Sequence, residues 1–134
     1  MELDTVGNFD AWNEVKKKLN QSEEMVHFRE REVRWCAVGR NIGAEVNGKG
    51  TRFSRPVLVL RRYGNGSFLG VPLTSQEHDG MWYSPITVAG VQRRALLSQA
   101  RVFSSKRLYG KLDRISQEEY EIICEKLRKL FFKK

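Results

Sequence analysis

The tripeptide Gly64-Asn65-Gly66 constrains the fold of this 134-residue chain more than any other stretch. It stands between two runs of β-formers, Pro56 to Arg62 and Ser67 to Leu73. Asn-Gly tolerates the positive φ that tight antiparallel turns require, so the two runs are predicted to pair as a hairpin. Trp82 to Val88 and Val91 to Ser98 flank Ala89-Gly90 and predict a second hairpin. Glu32 to Val38 alternates, with Val33, Trp35 and Ala37 on one side, and Ala100 to Phe103 and Leu108 to Leu112 are shorter candidate strands. Short strands at this spacing predict a small antiparallel barrel.

The two ends of the chain follow another period. Phe9, Trp12, Val15 and Leu19 recur at three-to-four spacing and predict an amphipathic helix over 9–20. Near the other end Ser116 and Glu119 form a capping-box pattern, with Ile115 and Tyr120 placed as a hydrophobic staple. Tyr120, Ile123, Leu127 and Leu130 make the apolar stripe of a helix from Gln117 to near Phe131, with basic residues toward its C-terminal end. The fold class is therefore mainly β with flanking helices. Residues 1–31 form an N-terminal helical extension, and 32–134 a barrel closed by its C-terminal helix. Gln21 to Glu30 reads either as a linker or as a continuation of the first helix.

Charge is distributed unevenly. Residues 1–32 hold eight Asp/Glu against five Lys/Arg, a net −3, and the remainder holds nineteen Lys/Arg against eight Asp/Glu, a net +11. Between Val46 and Gln76, and again between Gly80 and Leu112, there is no acid at all. A body this one-sided attracts a polyanion, RNA or DNA before others, with a merely solubilising surface as the alternative. Cys36 and Cys124 are too few for a disulfide framework and read as small buried apolar side chains. They lack metal-binding partners, so neither a metal nor a cofactor is expected. No apolar run approaches a membrane span and no leader pattern stands out, which predicts a cytoplasmic protein with no membrane role.

The stretch from Gly43 through Gly48-Lys49 nearly spells a nucleotide-binding loop. Such a loop needs a Ser or Thr after the lysine and then a helix whose N-terminus faces the phosphates. Gly50 follows here, and the next element, opening at Arg55-Pro56, reads as a strand. An NTPase is excluded. What remains is a long basic loop bracketed by Glu45 and Arg55, with Pro56 fixing the backbone beside the guanidinium.

Gly43-Ala44-Glu45, Arg55-Pro56-Val57-Leu58-Val59-Leu60, Val71-Pro72-Leu73-Thr74-Ser75 and Leu97-Ser98-Gln99 with Arg101 together resemble the MazF/PemK toxins of type II toxin–antitoxin systems. The resemblance spans roughly 32 to 131. It implies an SH3-like barrel, shared with the gyrase-inhibiting toxins, that forms a homodimer and is neutralised by a cognate antitoxin. It also implies a metal-independent endoribonuclease that cuts single-stranded RNA, leaving a 2′,3′-cyclic phosphate and a 5′-hydroxyl. On that reading Arg55, Thr74 and Glu45 are catalytic. Departures from the family pattern are a longer Glu-to-Arg loop, the lack of an Arg/Asp pair at Leu96 to Gln99, and the extension over 1–31.

The residue chemistry suits that reaction. Arg55 stays protonated and its planar fork matches two phosphate oxygens, Thr74 donates a second hydrogen bond, and Glu45 is the candidate base for the 2′-hydroxyl. The general acid is unassigned. Ser75, Lys49, Arg52, His78, Gln99 and Arg101 are candidate RNA contacts, and Arg93 and Arg94, pointing opposite ways, add at least one more exposed cation. Trp35 reads as core, while Trp82 and Tyr83 face opposite sides, so that one of them can stack an unpaired base. Two other classes remain open: a non-catalytic nucleic-acid-binding module, and a protein-binding toxin of the gyrase-inhibiting type. The acidic extension is also expected to screen the barrel's groove, or else simply to pack as an extra helix.

Overall fold

The computed structural model describes residues 5–23 and 26–132. Residues 1–4, Glu24 and Met25 of the expected linker, and Lys133 and Lys134 lie outside the described residues. Helix α1 (Thr5–Gln21) is followed by strands β1 (Glu32–Ala37), β2 (Ser54–Arg62), β3 (Ser67–Thr74), β4 (Tyr83–Val88), β5 (Val91–Leu96), β6 (Arg101–Ser104) and β7 (Leu108–Arg114), then by helix α2 (Gln117–Phe131). Among the described residues no helix is long and apolar enough to cross a membrane.

The strands form one antiparallel sheet in the order β4-β5-β3-β2-β1-β7, with β6 pairing the first half of β3. β3 is thus shared: Ser67 to Gly70 face β6, and Leu73 and Thr74 face β5. The sheet curls into a half-barrel whose open side is bridged by side chains. Asp113 on β7 accepts from the Ala89 amide at 2.7 Å, and Glu119 of α2 accepts from the Thr87 amide at 3.2 Å. The capping box is therefore half used. Ser116 Oγ accepts from the Glu119 amide as its sequence position predicts, but the Glu119 carboxylate reaches across to β4.

The continuous apolar run Val57 to Leu60 is explained by burial on both faces of β2. Leu58 and Leu60 join Val33, Val71 and Leu73 against Ile123 and Leu127 of α2. Val57 and Val59 join Cys36, Phe68 and Phe103 on the other side. Burying each such side chain contributes about 1.5–3 kcal/mol, so β2 is the strand on which both halves of the core depend. Tyr120 of α2 donates its hydroxyl to the Leu60 carbonyl and ties the helix to that strand.

Both hairpins form, with turn chemistry that differs in detail from expectation. At the first, Gly66 takes the positive φ (83°), while Asn65 Oδ1 accepts from the Ser67 amide at 3.2 Å. The second is tighter, and Ala89 itself sits at φ 49° before Gly90 at 81°. β5 stops at Leu96 instead of Ser98, because Leu97–Gln99 turn into a single 3-10 turn. α1 begins at Thr5, earlier than residue 9, and ends at Gln21, so the segment after it is a connector. Of its predicted apolar face, Trp12 is buried, Val15 and Leu19 are half-buried, and Phe9 is exposed beneath the Arg40 guanidinium.

Candidate functional site

β2 and β3 pair Val57 with Pro72 and Leu58 with Val71. Continued to the strand ends, this register sets Arg55 opposite Thr74, and Arg55 Nη1 donates to the Leu73 carbonyl at 3.3 Å. Both residues line a cleft of about 310 Å³, together with Trp35, Lys49, Ser75 and Arg93. Two residues far apart in sequence are thus brought to one concavity by a single strand pair.

Arg55 is half-buried, and burial lowers its pKa from the ordinary arginine value; it remains a cation at neutral pH. Its Nε donates to the Asn47 carbonyl at 2.5 Å. These two bonds fix the plane of the guanidinium and leave Nη2 for an outside acceptor. Thr74 Oγ1 accepts from the Gln76 amide at 3.2 Å, so its hydroxyl proton is left to donate. Among the described residues the lining contains three cations, Lys49, Arg55 and Arg93, and no carboxylate. Such a concavity favours a phosphate.

The loop from Val38 to Ser54 is built, not loose. Asn41 donates its side-chain amide to the Val38 and Val46 carbonyls, at 3.2 and 2.8 Å. Lys49 and Ser54 exchange two backbone bonds of 2.9 Å and close a short hairpin just before Arg55. Phe53 in that hairpin takes φ 53°, a left-handed conformation costly for an aromatic residue. It is held there by a Gly39 amide bond to its carbonyl (3.0 Å) and by the ring of Trp12, 5.6 Å between centroids. A Cβ at Gly39 would stand 2.4 Å from the Trp12 ring, so only glycine admits α1 this closely. The helix therefore buttresses the loop that leads into Arg55 at the start of β2.

The remaining predicted residues fall in several places. Ser75 and Lys49 stand in the cleft. Glu45 is exposed on the loop, outside the lining, and its carboxylate accepts from the Ile42 amide at 3.2 Å. Gln99 brackets Glu45, accepting from the Val46 amide at 3.1 Å and donating to the Ala44 carbonyl at 3.3 Å. Its place is that of a loop tether. Arg52 turns away and lies over the Tyr109 ring at 4.5 Å, and Arg101 lies over Phe103 at 4.5 Å. His78 stacks on Tyr83 at 4.7 Å, and its carbonyl accepts from Arg94, which thereby anchors the loop after Ser75.

Trp35 corrects an expectation. Alternation assigned it to the core, yet it is half-buried and forms a wall of the cleft. Arg93 is the cation that alternation left unassigned between it and Arg94. It lines the cleft, with its Nε buried and without a partner among the described residues. Trp82 is 48% exposed just ahead of β4, so of the two aromatic neighbours it is the one available for stacking. Cys36 is buried, its thiol pKa pushed up to about 12 by burial, while Cys124, on α2 itself, is half-buried against the core.

A curled antiparallel half-barrel, closed by a terminal helix and carrying a cationic cleft at its central strand ends, defines the class. The sequence profile of the PemK-like, MazF-like toxin of type II toxin–antitoxin systems matches residues 29–131. The chain belongs to that family. Solved structures agree on the fold: MazF from Deinococcus radiodurans superposes with a TM-score of 0.68 at 20% identity, covering 81% of this chain and 99% of that one. An endoribonuclease in complex with its cognate antitoxin, from a Mycobacterial species, gives 0.63 at 10% identity, covering 81% and 98%. The MazF-type toxin of Mycobacterium tuberculosis gives 0.58 at 12%, covering 76% and 97%. No curated protein matches the sequence significantly.

Proposed function

We propose that this protein is the toxin of a type II toxin–antitoxin pair and that it cleaves single-stranded RNA without a metal. The observation that carries this reading is the meeting of Arg55 and Thr74 in one cleft with Lys49 and Arg93 and without a carboxylate. In this reaction the RNA supplies its own nucleophile: the 2′-oxygen attacks phosphorus, the 5′-oxygen leaves, and the products carry a 2′,3′-cyclic phosphate and a 5′-hydroxyl. The protein has to hold the phosphate, align the attack and move protons.

Arg55 meets charge that grows on the phosphoryl oxygens, held in place by the Asn47 and Leu73 carbonyls. The Thr74 hydroxyl donates a second bond to the same group. No carboxylate or histidine lines the cleft, so the base must approach from beyond its rim. Glu45 takes that role in this reading, because it sits on the loop that carries Lys49 and is tethered by Gln99 on either side. Its carboxylate must first leave the Ile42 amide. The toxin acts as a homodimer in the cytoplasm, and a cognate antitoxin neutralises it by covering this positive cleft.

Pure protein incubated with single-stranded RNA in EDTA tests the reading. Cyclic-phosphate and 5′-hydroxyl ends are expected from the wild type, with cleavage falling about 10²–10³-fold in Arg55→Ala, as for loss of one preorganised donor. Uncut RNA that nevertheless binds would mark a non-catalytic binding module. Indifference to RNA with binding to a gyrase subunit would mark the protein-binding class.

A further inference from the structure

Two grooves beneath α1 lie outside the cleft and have no role in the proposed cleavage. One, of about 350 Å³, is lined by Lys16, Lys17, Lys106 and Arg107 among others. The other, of about 620 Å³, is lined by Lys18, Arg52 and Lys106 over an apolar floor that includes Val26, Leu108 and Tyr109. Among the described residues neither lining contains an Asp or Glu. Although residues 1–32 are net acidic, the exposed lysines Lys16–Lys18 of α1 line these grooves together with Arg52, Lys106 and Arg107 of the barrel, Lys17 also pairing with Glu14 at 3.3 Å.

These grooves adjoin the cleft. Trp35 lines the cleft and Ala37, two residues on along β1, lines the larger groove, a step of roughly 7 Å. The Lys49–Ser54 hairpin forms the divide between them: Lys49 and Gly50 face the cleft, and Arg52 faces the groove over Tyr109. Cations therefore continue from the cleft over the hairpin and along the underside of α1. A cationic rim with an apolar, aromatic floor is what a single strand requires, since its phosphates need positive charge and its bases need flat apolar contact.

We propose that α1 and the barrel together form an accessory RNA-binding track, which takes the single strand beyond the scissile phosphate and holds its backbone through Lys16 and Lys18. This rests on the reading of the cleft as an RNA site. The track reverses the screening expectation for the extension: no α1 residue lines the cleft, and the helix adds positive surface beside it.

The test uses full-length protein and 2′-O-methyl RNA, which lacks the attacking hydroxyl, in two lengths of about six and about twenty nucleotides, one within and one beyond an ordinary single-site length. Binding is measured across salt concentrations for the wild type and for Lys16→Gln/Lys18→Gln. Both positions are exposed and glutamine has a similar helix propensity, so folding is preserved. For the long RNA the slope of log affinity against log salt is expected to fall by about 1.4, two single-strand phosphates' worth, with the short RNA unchanged. Equal slopes on the long RNA overturn the track, as does an equal loss on both lengths, which would mean a diffuse charge effect. If the wild type binds neither RNA, the cleavage reading falls with it. Lysine-dependent binding of the 2′-O-methyl strand, with no cut product from unmodified RNA of the same sequence, would leave the track standing and remove only the reaction.

Discussion

At the scale of single residues, Arg55 combines a charge with a fixed plane. Arg55→Lys keeps the charge and loses the fork that engages both the Asn47 and Leu73 carbonyls. It is expected to slow single-turnover RNA cleavage about 10²-fold while weakening RNA binding far less. Glu32 makes a second residue-scale prediction. It is buried on β1, 2.8 Å from Arg34 Nε and 3.8 Å from Lys111 Nζ. Burial raises its pKa, but the Arg34 hydrogen bond, the Arg29 backbone contact and the two nearby cations outweigh it and hold the carboxyl below its ordinary 4.5. A depressed folded pKa gives stability that is complete above the unfolded value and is lost as pH falls through the folded one. Denaturant titrations should therefore show wild-type stability declining below pH 4.5, and Glu32→Gln should be weaker by about 2 kcal/mol at neutral pH with a flatter acid decline. At this scale Arg55 stood out at an Arg-Pro strand start beside the basic loop that holds Lys49, while Thr74 was singled out through the resemblance to the MazF/PemK toxins. Trp35 was hidden, and Arg93 was left as one of two candidates with Arg94, because alternation assigns a residue to a face but does not say where along the sheet that face opens.

At the scale of elements, the β4–β5 hairpin has a local conflict built into it. Ala89 occupies a left-handed conformation and is held there by the Asp113 carboxylate on its amide. Ala89→Gly removes the side-chain clash at some cost in chain entropy, so a rise in stability of about 0.5–1 kcal/mol is expected in a denaturant midpoint. Helices and strands were readable from their periods, and the α2 start from Ser116 and Glu119. The 3-10 turn at Leu97–Gln99 was not, since Leu-Leu-Ser continues a strand pattern and only the tether from Gln99 to the Glu45 loop explains the bend. The second half of the capping box was likewise invisible, because the competing partner on β4 lies more than thirty residues away in the chain.

For the molecule as a whole, α1 is a brace for the cleft loop. Trp12 packs on Gly39 and Phe53, and the Arg107 guanidinium lies over its other side at 5.6 Å from the ring centroid. Removing residues 1–22 should lower the cleavage rate, and Trp12→Ala should do so in part, both measured on the same RNA. Faster cleavage by the truncated protein would favour the screening view instead. The seat for Trp12 also has a consequence for synthesis. Its walls come from positions 39, 53 and 107, so the indole finds its pocket only after β6 and the turn beyond it have been translated. A nascent chain still short of that point carries the arginine of the cleft with the Trp12 seat incomplete.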